Sequence, residues 1–167
     1  EAALVNDSPF VLLSGPASSF VDGKFVGQGS VPTVAVGERF SVGFGIDMSL
    51  KCRREVVEEA EKSQGGNRVL DLSYRLVVEN FGGEAAKVRI LDRIPTAKES
   101  EVKVSLVSPE SELSQDSEYL ASQRKKGILR WDVEVPASSF GSKAKTVQYA
   151  FRMEFDKNLR IGGAVLN

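Results

Sequence analysis

Asp92 is the residue whose type and position most directly raise the question of a catalytic or metal-binding role. In the segment 87–95 (KVRILDRIP) apolar and basic residues alternate, and Asp92 falls on the apolar side. A buried carboxylate without partners is costly, so it needs hydrogen-bond donors or a place at the open end of its strand. We therefore expect a structural role, in which Asp92 accepts hydrogen bonds from a turn or pairs with Arg89 or Arg93. The alternative, a metal ligand or catalytic base, is less favoured because an isolated Asp is a weak catalytic signal.

Other polar residues occupy predicted turns and strand ends. Asp22 and Gly23 form a dipeptide that supplies positive φ for a tight hairpin. Asp47 ends an alternating segment and is interpreted as an Asx-turn or capping residue rather than a metal ligand. Asn80 is expected to close its turn through the side chain, and Pro95 to stop a strand because it cannot donate to a ladder. No calcium-loop spacing is present.

Two aromatic residues raise the question of sugar binding. Trp131 alternates with apolar residues in ILRWDVEV (128–135), which favours a place in the core. Tyr119 lies in the polar stretch 109–127, which we interpret as a surface loop with a short helical turn, and it is the better candidate for an exposed ring. A carbohydrate-binding role is therefore the alternative to a purely structural one.

Composition excludes several classes of function. The sequence has no His and one cysteine, Cys52, so a Ser-His-acid or Cys-His arrangement cannot form within it, and we predict neither enzyme activity nor a cofactor or metal site. The 22 basic and 23 acidic residues nearly cancel, to a net charge of −1, so no nucleic-acid partner is indicated. No apolar run approaches the roughly 18 residues needed to cross a membrane. A lone cysteine fits either redox compartment and does not locate the protein.

Strand patterns dominate the 167 residues. Apolar residues recur at every second position in 39–46, 69–78, 102–106, 128–135 and 146–155. Such alternation means one buried and one solvated face, which favours antiparallel sheets. The predicted fold is all-β: an antiparallel, immunoglobulin-like sandwich with additional strands, forming one domain with a possible sub-lobe over residues 1–50. Because the sequence opens without Met or a leader, we expect a fragment of a longer protein.

The segment 50–62 fits either a helix or a strand, and we favour the strand. If the numbers of paired residues sum to 130, Val56 faces Tyr74 and Cys52 faces Val78, and Gln64 to Gly66 form a three-residue loop. The resulting charged hairpin exceeds the usual strand length, so its tip at Gly65 and Gly66 is expected to project beyond the body.

Four stretches together resemble one family, the C-terminal domain of mucoidy-inhibitor-A-like (MuiA-like) proteins. They are residues 15–27, 36–55, 78–95 and 127–135. The matching elements are Asp22-Gly23 with Gly27, Gly45-Ile46-Asp47, Asn80, Asp92 with Ile94-Pro95, and Trp131; Met48 departs from an expected Pro. The resemblance implies a bacterial domain of unknown function without established catalytic residues, in a larger protein linked by its name to exopolysaccharide and the cell envelope.

These observations predict a non-enzymatic structural or protein-interaction module. It would contact an unknown protein partner through an edge strand or a loop, by strand addition or side-chain contact. Gly65, Gly66 and Tyr119 are the predicted interaction residues. The alternative is a module that binds envelope polysaccharide.

Overall fold

The computed structural model describes residues 2–21, 23–96, 102–109 and 111–159. The strands in these ranges are β1 (Ala2–Val5), β2 (Gly15–Val21), β3 (Lys24–Val31), β4 (Arg39–Val42), β5 (Leu50–Gln64), β6 (Asn67–Asn80), β7 (Ala86–Arg93), β8 (Val102–Pro109), β9 (Ile128–Val135) and β10 (Lys145–Asp156). Short helical turns occupy Tyr119–Gln123, Arg124–Lys126 and Gly141–Lys143. The pairs of neighbouring strands are antiparallel, which confirms the all-β prediction.

The chain divides into two compact units, Glu1–Met48 and Ser49–Asn167. In the first unit β1 pairs with β4, and β2 pairs with β3 as a hairpin. Gly23 adopts φ 75°, the positive angle that the predicted tight turn requires. Asp22 lies outside the described residues.

The alternation predicted over residues 39–46 breaks down at its end. β4 stops at Val42, and Ile46, expected on the buried face, is 87% exposed. Gly45 explains the difference, because it adopts φ 98° and sits so close to β3 that an added Cβ would lie 2.3 Å from the carbonyl oxygen of Val26. The positive φ ends the extended backbone, so the period-two pattern no longer determines which face Ile46 occupies.

The second unit is a sandwich of unequal sheets. One sheet has the strand order β5-β6-β10-β8, and the other contains β7 and β9. Alternating apolar residues of both sheets share one core, as period-two patterning requires. This core comprises Leu72, Tyr74, Leu76, Val78, Ile90, Ile94, Leu129, Trp131, Val135, Val147, Tyr149, Phe151, Met153 and Phe155.

The β5–β6 hairpin confirms the strand interpretation but corrects its register. Val56 faces Tyr74 and Cys52 faces Val78, as predicted, whereas Ala60 faces Asp71 rather than Leu70. A bulge at Val57 adds one residue to β5 and shifts every later pair by one position. The hairpin therefore closes with a two-residue Gly-Gly loop instead of the predicted three-residue loop.

The hairpin tip is supported along its length, so the prediction that it projects beyond the body was wrong. β10 pairs with β6 as far as Asp156 opposite Asn67, the residue that follows the loop. Gly65 and Gly66 adopt φ 61° and 90°, which are the angles of a tight turn with two left-handed residues. Both glycines are exposed, but they extend little past the strand next to them.

Asn80 closes the turn after β6, as predicted. Its buried side-chain amide donates to the carbonyl oxygens of Glu84 (2.8 Å), Val135 (3.3 Å) and Pro136 (3.0 Å). Its Oδ1 accepts the Gly82 N–H at 2.8 Å. One side chain thus ties the end of β6 to the end of β9.

The first unit contains the same arrangement at Asn6. The Asn6 amide donates to the carbonyl oxygens of Phe10 (2.8 Å), Val34 (3.2 Å) and Ala35 (3.1 Å), and its Oδ1 accepts the Ser8 N–H at 3.2 Å. The spacings match those around Asn80: a carbonyl four residues later, an N–H two residues later, and two consecutive carbonyls of a distant strand or loop. This repeated asparagine corner was not evident in the sequence.

Candidate functional site

Asp92 lies on the inner face of β7 and has three hydrogen-bond or ion-pair partners. Its Oδ2 accepts a hydrogen bond from the Tyr149 hydroxyl at 2.7 Å and lies 3.2 Å from Nε of Arg54. Its Oδ1 accepts the Arg93 backbone N–H at 2.7 Å. The structural role predicted for Asp92 agrees with these contacts, but the cationic partner is Arg54 and not the side chain of Arg89, which faces Asp132 instead.

Arg54 reaches from edge strand β5 across the top of the core to the opposite sheet. Its guanidinium carbon lies 3.7 Å from the centre of the Tyr74 ring, and Nη2 donates to the Tyr149 hydroxyl at 3.1 Å. Tyr149 in turn stacks on Tyr74 with ring centres 5.6 Å apart. We call Arg54, Tyr74, Asp92 and Tyr149 the clasp, because together they join the two sheets at one side of the sandwich.

The electrostatics of the clasp favour its hydrogen-bonded form. Burial, and then the hydrogen bond to Asp92, raise the pKa of Tyr149 well above its ordinary value, so this hydroxyl remains a donor. Burial opposes the charge on Arg54, but the hydrogen bond with Tyr149 and the charge of Asp92 outweigh it and raise the pKa of Arg54. Burial and the nearby Asp92 also raise the pKa of the Cys52 thiol, which makes it a poor nucleophile near neutral pH.

The contacts within the clasp are those of a structural cluster rather than of a reactive site. The carboxylate is occupied by donors on both oxygens, and the tyrosine hydroxyl both donates and accepts. In the described ranges, no group of three or more His, Cys, Asp and Glu side chains is placed to hold a metal ion. The absence of enzyme activity stays a prediction.

Next to the clasp, both sheets of the sandwich end in a strand whose outer edge is unpaired by any other described strand. The four-stranded sheet ends at β5 and the smaller sheet ends at β7, and neither strand has a neighbour on its outer edge within the described part of the chain. Three β5 side chains on the inner face therefore remain accessible: Cys52 is exposed, Arg54 is 38% exposed at its side chain and Val56 is 61% exposed. We call Cys52, Arg54 and Val56 the open strip, and the strip together with the outer edge of β7 the open side.

Tyr119 was wrongly predicted to be exposed. It is 1% exposed, and its hydroxyl donates to the Ile128 carbonyl oxygen at 3.0 Å and accepts the Arg130 N–H at 3.2 Å. The ring anchors the polar loop to β9. The helical turn expected in this loop is present at Tyr119–Gln123.

The remaining predicted residues have local structural roles. Trp131 is buried in the core as predicted, and its Nε1 donates to the Ser111 carbonyl oxygen at 3.1 Å. β7 ends at Arg93, two residues before Pro95, in line with the strand stop assigned to that proline. Asp47 is exposed and immediately precedes a turn.

Sequence reasoning missed Arg54, Tyr74 and Tyr149 as members of one cluster. The signal was present, because the predicted register already put Arg54 on the apolar face of β5, opposite Leu76. A cation and an acid that both fall on inward positions of a sandwich are natural partners, since each needs the other in order to be buried.

The chain matches one protein family over most of its length. The family is the domain of unknown function DUF4139, matched by residues 7–157. Among curated proteins, the chain is similar to Protein F37C4.5 of Caenorhabditis elegans, with 26% identity over 110 residues, 64% of this chain and 20% of that protein. The chain thus spans about a fifth of that relative. No solved structure matches.

The described residues include no helix with the length and apolar character needed to cross a bilayer. The matched range 7–157 covers most of both compact units, including the clasp and the open side. This chain belongs to the DUF4139 family of domains of unknown function.

Proposed function

We propose that this domain is a non-enzymatic protein-interaction module of a larger protein, and that it binds its partner by strand addition at the open side. The observation that carries the proposal is that, within the described residues, β5 and β7 each have an unpaired outer edge on the side that the clasp joins. An unpaired strand edge offers a row of backbone donors and acceptors, which an incoming extended segment satisfies. The much greater length of the C. elegans relative supports a module within a larger chain.

The two edges differ in how readily they accept a strand. Charged residues make up about half of each strand, but only β5 carries a bulge, at Val57, which discourages indiscriminate pairing of edges. β7 has no bulge against its partner β9, and it borders the open strip. The open side therefore has one regular strand edge, that of β7, next to the bulged edge of β5, and this arrangement suits a specific partner.

Blocking the open side at Cys52 tests this proposal. The chain of 167 residues, in which Cys52 is the single cysteine, is labelled there with a maleimide that carries a 5 kDa polyethylene glycol chain and is used to capture the partner from a lysate of its own cells. We expect association with its partner to be lost. The matched control places the same label at a Lys125→Cys site in a Cys52→Ser background, where we expect association to persist. Equal association with both labels would contradict the proposal.

The hairpin tip provides a second comparison. Gly65→Asn retains a residue type that tolerates positive φ, so the turn should still form while its surface changes. If the open side is the contact surface, association is unchanged in this variant. Loss of association would move the contact to the tip.

A cell-envelope location is part of the proposal that rests on the MuiA-like resemblance alone. Fractionation of cells that express the full-length protein from its own promoter tests it. Recovery with envelope markers is the expected result, and recovery with cytosolic markers would contradict it.

Carbohydrate binding is a second candidate, but on different residues from those first considered. Trp131 and Tyr119 are buried and offer no platform. Phe81 and Phe140 are each 47% exposed and stack with ring centres 5.0 Å apart. A glycan array probed with the domain and with its Phe81→Ala variant tests this candidate. Signals that persist in the variant, or no signals at all, would remove it.

A further inference from the structure

We infer that the partner of the open side is an extended acidic segment that adds to the free edge of β7 and alternates carboxylates with small apolar side chains. This inference rests on the proposed function and names the chemistry of its ligand. It follows from the period-two geometry of a strand, from the charges on β7, and from the shape of the open strip.

The strand geometry assigns two faces to any segment that pairs with β7. Side chains on β7 alternate between the core and the outer surface, so an added neighbour has the same alternation. Its inward side chains extend over the part of the larger sheet that β7 and β9 leave uncovered. That part is the open strip on β5, where Cys52 and Val56 are exposed.

The outward side chains of the added segment lie beside the outward residues of β7, three of which are basic; on the far side of β7, Glu134 and Asp132 of β9 stand opposite Lys87 and Arg89. Lys87, Arg89 and Arg93 are all exposed on β7. Arg89 faces Asp132 at 3.4 Å, whereas Lys87 and Arg93 form no ion pair with any described residue. Directly opposed unlike charges stabilise neighbouring strands and like charges destabilise them, so carboxylates are the favoured outward side chains.

The open strip selects the inward side chains. Cys52 and Val56 are small, and the guanidinium between them is already held by Asp92 and by the Tyr74 ring. A second buried charge would have no partner there, which makes it unfavourable. Small apolar side chains cover the strip without displacing the clasp.

A random octapeptide library displayed on phage, selected against the whole chain, tests the inference without presupposing a ligand. We expect the recovered peptides to alternate acidic and small apolar residues. A synthetic copy of the most enriched peptide should protect Cys52 from alkylation by N-ethylmaleimide. Raising NaCl from about 50 to about 500 mM should weaken its binding several-fold, because exposed charges are screened.

Paired charge reversals locate the peptide. Lys87→Glu with Arg93→Glu should weaken binding about tenfold or more, because attraction is replaced by repulsion at two positions. The control, Lys125→Glu with Lys126→Glu, changes the net charge equally in the loop and should leave binding within about twofold. Peptides without acidic character, equal loss in both double variants, or no enrichment would overturn the inference.

These outcomes separate the inference from the proposed function. If the cellular partner is lost on labelling Cys52 but the selected peptides are not acidic, the open side binds a ligand of different chemistry. If labelling Cys52 leaves the cellular partner bound, the proposed function fails whatever peptides are selected.

Discussion

Replacing Asp92 by Ala tests the clasp, and its cost follows from the contacts that are lost. The Tyr149 hydroxyl is buried and would lose the acceptor of its 2.7 Å hydrogen bond, an unmade bond that costs about 1–3 kcal/mol. The ion pair with Arg54 is partly exposed, so its loss adds about 1 kcal/mol or less. We expect Asp92→Ala to lower the free energy of unfolding by about 1–4 kcal/mol.

Urea unfolding followed by tryptophan fluorescence measures this change. Trp131 is the single tryptophan, it lies in the core of the second unit, and its ring centre is 5.6 Å from that of Tyr149. Its signal therefore reports the unit that contains the clasp. The control is Glu134→Ala, an exposed acid on the other face of β9 that has no hydrogen bond or ion pair with a described residue, for which we expect a loss of about 0.5 kcal/mol or less.

A double-mutant cycle with Tyr149→Phe makes the test specific to the clasp. Because each single variant already breaks the bond between Asp92 and Tyr149, the double variant should lose less than the sum of the two, by about 1–2 kcal/mol. A loss below about 0.5 kcal/mol in Asp92→Ala, or strict additivity in the cycle, would refute the clasp as a source of stability.

The other predictions concern Asn80, Tyr149, Cys52 and the hairpin turn at Gly66. Asn80→Ala should cost about 3 kcal/mol in urea unfolding, because several buried backbone groups lose one partner, and a cost below about 1 kcal/mol would contradict the corner. Because the pKa of Tyr149 is raised, the contribution of its hydroxyl to stability is complete below pH ~10 and is lost as pH rises further. The difference in stability between wild type and Tyr149→Phe should therefore narrow in the alkaline range. A difference that does not change with pH up to the alkaline limit of folding would contradict the role assigned to the buried hydroxyl. The Cys52 thiol, whose pKa is raised, should react with iodoacetamide at pH 7.5 more slowly in the folded domain than in urea, and equal rates would contradict the assigned environment. Gly66→Ala should cost about 1 kcal/mol from its φ of 90° alone, since no atom lies near the added Cβ, whereas Gly83→Ala should change little.

The alternation of apolar and polar residues predicted the strands, because a strand of a sandwich must bury one of its two faces. It placed Val56 opposite Tyr74 and Cys52 opposite Val78 correctly. It could not predict the bulge at Val57, because two consecutive valines fit either face of a strand and leave the extra residue unmarked. One added residue then moved every later pair and shortened the predicted loop.

The candidate site was only partly predictable for a related reason. Alternation indicates that Asp92 and Arg54 point inward, but it does not determine which positions of two facing sheets come together. Their contact at 3.2 Å depends on how the sheets stack, which is set by the whole core. Tyr119 could not be placed from its neighbours in the sequence. Its polar neighbours suggested an exposed ring, but a polar loop can be anchored by one buried ring, as it is here.

Amide hydrogen exchange of the domain, free and bound to the partner recovered with the full-length protein, tests strand addition at the open side most directly. Added backbone hydrogen bonds slow exchange at the edge that receives them. We predict protection concentrated in β7, with slower alkylation of Cys52 in the same complex. Protection confined to the hairpin tip, to the loop 109–127 or to the first unit, with Cys52 alkylated at its free rate, would contradict the account.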